Sequence, residues 1–444
     1  MASRSLTIQC FPVELLTEIF EYQVEKKEVL AISQVCARWR QIAHNCPRLW
    51  SAVEVDVERP STDSAYVDGL KTWLARSAPL RISLTCLASG GTSLYDVLEE
   101  IFHTSSRWRF LHYRQGPASQ LPLTALSKLA ETSLSALEEL HLGNIEEGPL
   151  IITFPSSAVP RLQRVKVFIY TPTLQIHLPW KQLTHLSFST AYADIAIEVL
   201  AECTNLIAAS IIIPVVWADL PPPGQSAQTL SHLRYLALFT GGDDGHISPL
   251  FDRIFAPALE TLEMDFSALD GRLTWPETSF TTFQLQSSHI VYLALNGCLY
   301  LTPENLCAAL RHLPCVAELK LGHCYEIVGN NFMTMLVNKH GVAPLAPRLH
   351  NLVLKNVNRN AFAPNLFVDM LSSRWWTEAD ASVPRAVARW TRVELETRGD
   401  VSQDFTDTIQ GLQDRGLPLE MLTIPLSVAA NTLDINHSAI NLQF

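Results

Sequence analysis

Six cysteine and histidine side chains within 27 residues are the chain's best candidates for metal chemistry. They are Cys298, Cys307, His312, Cys315, His323 and Cys324. Thiolate and imidazole are ligands that zinc prefers, but the spacing here is that of neither a finger nor a ribbon. Two of the cysteines each follow the last leucine of similar segments, LALNGC and LKLGHC, by three residues, and they lie 26 residues apart. The sequence therefore indicates one position of a repeat, and we predict no metal site.

The other polar groupings do not match a known catalytic or cofactor-binding pattern. The segment GGDDGHIS, residues 241–248, lacks the ligand spacing and terminal glutamate of a calcium loop. His44, Asp63 and Ser64 are near one another only in sequence, which does not make a catalytic triad. We find no phosphate-binding glycine loop, nucleophile elbow or H-E-x-x-H helix. We predict a protein without catalytic residues or a cofactor, and not an enzyme.

Composition limits the classes of partner. The 444 residues are 48% hydrophobic and 17% charged, with 33 Lys and Arg against 44 Asp and Glu, a net charge of -11. This balance argues against nucleic acid or an anionic membrane surface as a general partner. The longest apolar stretch, residues 206–220, is too short to span a bilayer. Nine cysteines without a C-x-x-C pair, and no signal-peptide pattern, predict the cytoplasm or nucleus.

Internal repetition is the strongest signal in the chain. Eleven segments share the pattern apolar-x-x-apolar-x-apolar, and they begin at Leu137, Leu162, Leu183, Leu206, Leu233, Leu259, Ile290, Val316, Leu349, Trp390 and Leu419. Ten intervals cover 282 residues, about 28 each, at the upper end of the leucine-rich repeat period. Similar segments begin at Ala52, Leu80 and Trp108. We predict a leucine-rich-repeat-like solenoid over residues 52–425, with 426–444 as a C-terminal cap or tail.

Helical patterns follow the predicted strands, which makes the chain an α/β protein. In TPENLCAALRHLP, Thr302 is the predicted N-cap and Pro303 the first helical residue. Strands that return through a helix pair in parallel with a right-handed crossover, so stacked units form a curved solenoid lined by a parallel inner sheet. The interval 358–389 shows no clear pattern and is predicted to be an insertion that projects from this array.

The residues between the apolar strand positions are predicted to form the exposed inner face of this sheet. They include Arg164, Lys166, His185, Ser187, Tyr235, Phe239, Glu263, Asp265, Tyr292, Asn296, Glu318, Lys320, Arg392 and Glu394. This set is mixed in charge and contains no concentrated arginine cluster. Tyr235, Phe239, Tyr292, Glu318 and Lys320 are our candidate contacts for a partner protein.

The first fifty residues read as three short helices. FPVELLTEIFEY carries two apolar pairs at helical spacing, Leu15 with Ile19 and Leu16 with Phe20, so its apolar stripe is wide enough to meet two neighbours. LAISQVCARWRQIA continues the helical pattern, and Trp50 precedes the first strand. A unit this small buries little apolar surface, so we expect it to pack against the solenoid, against a partner or against both.

Three segments of this region, FPVELLTEIF, ISQVCARWRQIA and CPRLWSAV, together resemble an F-box over residues 9–51, here taken as a domain of residues 1–51. The resemblance implies binding to a Skp-type adaptor, and through it to cullin, in an SCF-type ubiquitin ligase complex. The array behind it resembles the leucine-rich regions of many F-box proteins and would select the target protein. Phe11 departs from the leucine usual in F-boxes, and overpacking at this position can cost about 1–3 kcal/mol.

The resemblance also implies roles for individual residues. Phe11, Pro12, Leu15, Ile19, Val35 and Cys36 would face the adaptor, whereas Trp39 and Trp50 would hold the motif's helices and its junction. The alternative is a stand-alone leucine-rich scaffold or inhibitor without a ubiquitylation role, in which residues 1–51 are a cap. The sequence leaves open the target's identity, whether its recognition needs a modification, and whether a full ligase assembles.

Overall fold

The structure is a computed structural model. It describes residues 11–23, 28–57, 63–88, 97, 101–116, 120–213, 228–241, 247–268, 275–298, 301–324, 327–358, 361–376, 386–398 and 402–424. The chain divides into two compact units, Met1–His185 and Leu186–Phe444. The predicted tail at 426–444 lies outside the described residues, and so does most of the glycine-rich segment 241–248. Among the described helices, none is long and apolar enough to cross a membrane.

The first unit opens with the three predicted helices. They are α1 (Val13–Gln23), α2 (Glu28–Val35) and α3 (Ala37–His44), followed by a 3₁₀ turn, Pro47–Trp50. The apparently continuous segment LAISQVCARWRQIA is broken at Cys36, which adopts an extended conformation and caps α3 by accepting a bond from the Trp39 amide. A cap of this kind satisfies one of the free amides at a helix start, so two short helices replace a single longer one.

Strands and helices alternate in the rest of the first unit. Its elements are β1 (Ala52–Asp56), α4 (Ser64–Arg76), β2 (Ile82–Ala88), a 3₁₀ segment (Phe102–Arg107), β3 (Trp108–Gln115), α5 (Leu123–Glu131), β4 (Glu139–Asn144), β5 (Ile152–Thr153), β6 (Arg164–Ile169), β7 (Ile176–His177) and a 3₁₀ turn (Trp180–Gln182). Five of these strands lie side by side in the order β1, β2, β3, β4 and β6, and each adjacent pair is parallel.

The second unit continues the alternation. It contains β8 (His185–Thr190, whose first residue closes the first unit), α6 (Ala193–Glu202), β9 (Ala208–Ile213), β10 (Gln228–Thr229), β11 (Tyr235–Gly241), α7 (Ser248–Phe251), β12 (Ile254–Phe255), β13 (Thr261–Ala268), α8 (Glu277–Gln286), β14 (Tyr292–Asn296), α9 (Pro303–Arg311), β15 (Glu318–Gly322), α10 (Asn330–Leu336), β16 (Asn351–Asn358), α11 (Pro364–Ser373), β17 (Arg392–Arg398), α12 (Gln403–Asp414) and β18 (Leu419–Ile424).

Fourteen strands in the described residues belong to the main parallel sheet, in chain order. This arrangement confirms the predicted class, N-terminal helices followed by a strand–helix solenoid. The apolar residues of each pattern alternate into the core: in β14, Leu293 and Leu295 are buried, whereas Tyr292 and Asn296 are half-buried on the other face. Thr302 caps α9 in a capping box with Asn305, and Pro303 is its first residue, as predicted.

The prediction of which residues of the last strand face the core is wrong. The pattern beginning at Leu419 requires Leu422 to be buried, but Leu422 is 61% exposed. In the parallel register Leu419 pairs with Val393, the fourth position of the preceding pattern, so Leu419 also takes a fourth position. Leu417 and Leu419 fill the core instead. A strand has a side-chain period of two, so both alternatives fit the spacing and only the pairing decides between them.

The interval 358–389 is also more regular than predicted. Residues Pro364–Ser373 form a helix whose Phe367, Met370 and Leu371 are buried, so this part belongs to the repeated strand–helix pattern. The helix was not predicted because Leu366 and Val368 are apolar too, so the helical spacing of the three buried residues does not stand out in the sequence. Arg374 then turns inward and donates hydrogen bonds to the carbonyls of Leu336, Leu345 and Ala346. Residues 377–385 lie outside the described part of the chain.

Candidate functional site

The three N-terminal helices and the 3₁₀ turn after them, together called the helical domain, enclose one small core. Leu16 and Phe20 of α1 are buried within it, and the half-buried ring of Trp39 packs on Phe20 with ring centroids 4.8 Å apart. α1 therefore turns one of its two apolar pairs, Leu16 with Phe20, toward α2 and α3. Helical spacing alone does not distinguish the two pairs, and a helix this short can bury only one face against its own domain.

The other apolar pair of α1 is exposed to solvent. Phe11, Leu15 and Ile19 expose 38%, 46% and 41% of their surfaces. Tyr22, one turn beyond Ile19, is 89% exposed, and Val13 is exposed as well. Exposed apolar side chains are ordinary when scattered, but a contiguous row on one helix face marks an interaction surface. We call Phe11, Leu15, Ile19 and Tyr22 the α1 strip.

Further predicted contact residues lie in and after α2. Val35, at the end of α2, is 61% exposed, and Leu30 is 47% exposed. Cys36 is half-buried, and its sulfur accepts a hydrogen bond from the amide of Trp39 at 3.5 Å. Cys36 thus has a structural task as a helix cap. Pro12 is exposed directly before α1, and its carbonyl accepts the first helical bond, from the amide of Leu16.

Two arginine contacts fix the ends of α1 to the rest of the domain. The guanidinium of Arg38 donates to the carbonyl of Phe11 at 2.7 Å, so the residue that begins the α1 strip is tied to α3. At the other end Arg48 pairs with Glu21 at 3.2 Å. Exposed ion pairs contribute little to stability, but these contacts set the position of the helix that carries the strip.

Trp50 joins the helical domain to the first helix of the array. Its ring is fully buried, and its Nε1 donates to the carbonyl of Ala43 at 2.7 Å. The ring of Trp73, in α4, meets it edge-on at 4.8 Å, and Trp73 Nε1 donates to the Trp50 carbonyl at 3.0 Å. The guanidinium of Arg76 lies 4.5 Å from the centroid of the Trp50 ring. Trp50 therefore lies where the helical domain packs against α4.

The exposed sheet face of the first unit is rich in histidine and basic residues. His112 and His141, on β3 and β4, have ring centroids 5.3 Å apart, and His141 bonds the carboxylate of Glu139 at 2.8 Å. The hydrogen bond from His141 lowers the pKa of Glu139, against the effect of partial burial. Lys166 follows in register on β6. Of these residues, Lys166 belongs to the predicted inner face, whereas His112, Glu139 and His141 were not named in that prediction.

The sheet face of the second unit holds a cavity of about 210 Å³. Its lining includes Phe239, Glu263, Asp265, Asn296, Lys320 and Lys355. Asn296 donates to the carboxylate of Asp265 at 2.8 Å across β13 and β14. Five residues of the predicted inner face line the cavity: Phe239, Glu263, Asp265, Asn296 and Lys320. Of the candidate contacts for a partner, Tyr235, Tyr292 and Glu318 are the first residues of β11, β14 and β15 and lie outside the cavity.

Two residues that line the cavity, His323 and Asn356, were not among the residues predicted to form the inner face. His323 and Asn356 have left-handed backbones at the ends of β15 and within β16, and their side chains meet at 2.8 Å. Asn356 also accepts a hydrogen bond from Arg398 at 2.8 Å. The signal that could have found them is their position: polar residues just after the last strand leucine in adjacent repeats.

Cys298 and Cys324 are buried at equivalent places in successive repeats, as the sequence predicted. The sulfur of Cys324 donates to the carbonyl of Gly322 at 3.1 Å, and burial raises the pKa of the Cys298 thiol. Buried thiols of this kind act as small apolar side chains. Within the described part of the chain, we find no group of three or more His, Cys, Asp or Glu placed to hold a metal ion.

Comparison with known families agrees with this geometry. Residues 8–54 match the family model described as F-box-like. The match covers all three helices and the Trp50 junction, and domains of this family generally bind Skp-type adaptors. A search of curated proteins returned no match to the chain. The first unit therefore begins with an F-box-like domain, whose exposed face is the α1 strip.

Proposed function

We propose that this protein is the non-catalytic substrate-recognition subunit of an SCF-type ubiquitin ligase. Its F-box-like domain docks a Skp-type adaptor and through it a cullin, and the solenoid recruits the protein to be ubiquitylated. The observation that carries the proposal is the exposure of Phe11, Leu15 and Ile19 on a domain whose own core is already filled by Leu16 and Phe20. A surface of this kind offers binding area without unfolding the domain.

The adaptor surface comprises the predicted residues together with their neighbours on α1 and α2. Phe11, Pro12, Leu15, Ile19 and Val35 supply exposed apolar area, to which Tyr22 and Leu30 add. Cys36 contributes by ending α2 and starting α3, which places Val35 at the helix end. Interface energy concentrates in a few buried apolar anchors, so Leu15 and Ile19, at the centre of the row, should carry most of it.

The target surface is the exposed face of the second unit's sheet, where Tyr235, Phe239, Tyr292, Glu318 and Lys320 lie. Half-buried aromatic side chains beside charged groups are typical of protein interfaces. All eight cysteines in the described residues are free thiols. This supports the proposed location in the cytoplasm or nucleus, where thiols stay reduced.

Binding of the purified full chain to a purified Skp-type adaptor tests the first half of the proposal. The double variant Pro12→Ala, Leu15→Ala should lose most of the affinity, because it removes exposed apolar area without touching Leu16 or Phe20. Ile151→Ala is the matched control, since Ile151 is 69% exposed in the same unit but lies outside the F-box-like domain. An intact chain that does not bind the adaptor, or a control that weakens binding equally, contradicts the proposal.

The alternative function is a scaffold that binds another protein without ubiquitylation. The Trp50–Trp73 contact favours this alternative, because it shows that the helical domain covers part of α4, as a cap on the array would. The two functions differ in one observable. A scaffold captures its partner but no adaptor, whereas a substrate receptor captures both.

A further inference from the structure

Two tyrosines and two glutamates form a group on the sheet face of the second unit. Tyr292 on β14 is the register partner of Glu318 on β15, and Tyr235 begins β11. Tyr235 and Tyr292 both pair with Thr261 of β13, so Glu263 is the next outward residue on the strand between them. We call these four residues, Tyr235, Glu263, Tyr292 and Glu318, the acidic tyrosine group.

The face beside Glu263 is open on the side of β14. In the parallel register the neighbours of Glu263 are Ala237 on β11, which is fully buried, and Ala294 on β14, which is half-buried and lines the cavity. Two small side chains thus flank the half-buried carboxylate, with tyrosines at the preceding outward positions of β11 and β14. Glu263 also lines the 210 Å³ cavity, which lies toward the other end of the strands. The carboxylate is thus reachable from the face of the sheet.

The electrostatics of the group are those of an anionic site. Burial, followed by the carboxylates of Glu263 and Glu318, raises the pKa of Tyr292 to about 12. Burial and Glu263 also raise the pKa of Tyr235. Neither Glu263 nor Glu318 belongs to any ion pair found among the described residues. Two half-buried carboxylates that lack a cationic partner favour a cation supplied by a ligand.

We propose that the acidic tyrosine group binds a polypeptide segment that presents an arginine side chain. The guanidinium would lie against the carboxylate of Glu263, between the rings of Tyr235 and Tyr292. This inference rests on the proposed function, because it names the chemical class of the recruited target. A planar guanidinium bonds carboxylates in a fork and stacks on aromatic rings, whereas a lysine ammonium does so less well.

Size and topology favour a polypeptide over a small molecule. A cavity of about 210 Å³ is below the ~300–1,000 Å³ of pockets that enclose drug-sized ligands, but it can hold single side chains. An extended sheet face can contact several residues of a segment in succession. Lys320 is level with Glu263 two strands away, on β15, and it lines the cavity together with Glu263 and with Lys355 of β16. An acidic peptide is the competing occupant that these lysines would favour.

Fluorescence anisotropy of labelled glycine–serine peptides with the full chain tests the inference. One peptide carries paired arginines, and matched peptides carry lysine, citrulline or glutamate at those positions. The arginine peptide should bind best, the lysine peptide less well, and the uncharged citrulline and the acidic peptides not measurably. Glu263→Gln should weaken the arginine peptide by about tenfold or more, since it removes a charge-assisted bond.

Two further variants separate recognition from a general effect of charge. Glu420→Gln makes the same change on the same sheet face, in β18, and should leave the affinity unchanged. Glu263→Lys should transfer the preference from the arginine peptide to the glutamate peptide, a result that misfolding cannot produce. Melting curves of each variant show whether it folds.

The outcomes are distinct from those of the adaptor experiment. No binding of the arginine peptide, stronger binding of the glutamate peptide to the wild type, or equal loss with Glu420→Gln overturns the inference. Competition by spermidine as effective as that by unlabelled arginine peptide also overturns it, because it would show attraction for any cation. All Glu263 variants should bind the adaptor normally, so failure here leaves the adaptor proposal standing.

Discussion

The two tryptophans of the F-box-like domain have different tasks. Trp50 is fully buried, donates to the Ala43 carbonyl and meets Trp73 edge-on, so it links the domain to the array. Trp39 is half-buried and packs mainly on Phe20. The resemblance to an F-box implies a framework role for both tryptophans but does not rank them, because the burial of Trp50 depends on the neighbouring helix α4.

Replacing Trp50 by alanine should therefore destabilise the domain more than replacing Trp39. Truncation of a fully buried tryptophan costs about 3–5 kcal/mol, and Trp50→Ala also leaves the Ala43 carbonyl without its donor. Hydrogen exchange of α3 and α4, read by mass spectrometry, should show faster exchange in both helices for Trp50→Ala. Trp39→Ala, the matched control, should affect α1 and α3 and spare α4. Equal effects on α4 would contradict the linking role of Trp50.

Single residues also show where sequence reasoning reaches its limit. The pairs Leu15–Ile19 and Leu16–Phe20 look alike in sequence, and the resemblance to an F-box, rather than periodicity, indicated which pair faces outward. Arg374 was not predicted at all. Its guanidinium is fully buried, which lowers its pKa to about 10, and three carbonyls from distant parts of the chain accept its hydrogen bonds. No local pattern encodes such long-range partners.

At the scale of elements, the strands were the most predictable feature. Ten of the eleven repeated segments coincide with strands that begin at the third residue of the pattern, because the first apolar residue fills the core just before its strand. In the eleventh segment the prediction buried the wrong set of alternate residues. Leu422 is exposed, and Leu417 and Leu419 are buried instead. α11 was not predicted because its apolar residues run together as LFV and ML, which hides the helical period. The cavity could not be predicted, because it depends on cross-strand register.

The close pairing of β14 and β15 at Gly322 gives a test of that register. A methyl group added at Gly322 would lie 2.6 Å from Oδ1 of Asn296, its partner on β14. Asn296 would have to turn away and give up its bond to Asp265. Gly322→Ala should therefore destabilise the pair by about 1–3 kcal/mol, as overpacking does. Faster hydrogen exchange in β14 and β15 is the expected result.

Gly411 provides the matched control for this substitution. It lies in α12 with nothing within 4 Å of an added methyl group. Gly411→Ala should stabilise the helix by about 0.5–1 kcal/mol, because alanine restricts the unfolded chain and favours helix. If Gly322→Ala were as well tolerated as Gly411→Ala, the register of β14 against β15 described here would be wrong.

At the scale of the whole molecule, the two proposed surfaces belong to different units and share no residue. The α1 strip lies in the first unit and the acidic tyrosine group in the second. Substitutions at sites without shared partners usually act independently. Adaptor binding and target capture should therefore be separable by mutation, and this is what a receptor that bridges two proteins requires.

Affinity purification of the full chain from cells, followed by quantitative mass spectrometry, tests this separation. The wild type should recover a Skp-type adaptor, a cullin and one or more target proteins. Pro12→Ala with Leu15→Ala should lose the adaptor and the cullin together, because the cullin is held through the adaptor, while the targets remain. Glu263→Gln should lose the targets, while the adaptor and the cullin remain. If the targets disappear with the α1 substitutions, target capture depends on the assembled complex, and the independence of the two surfaces is refuted.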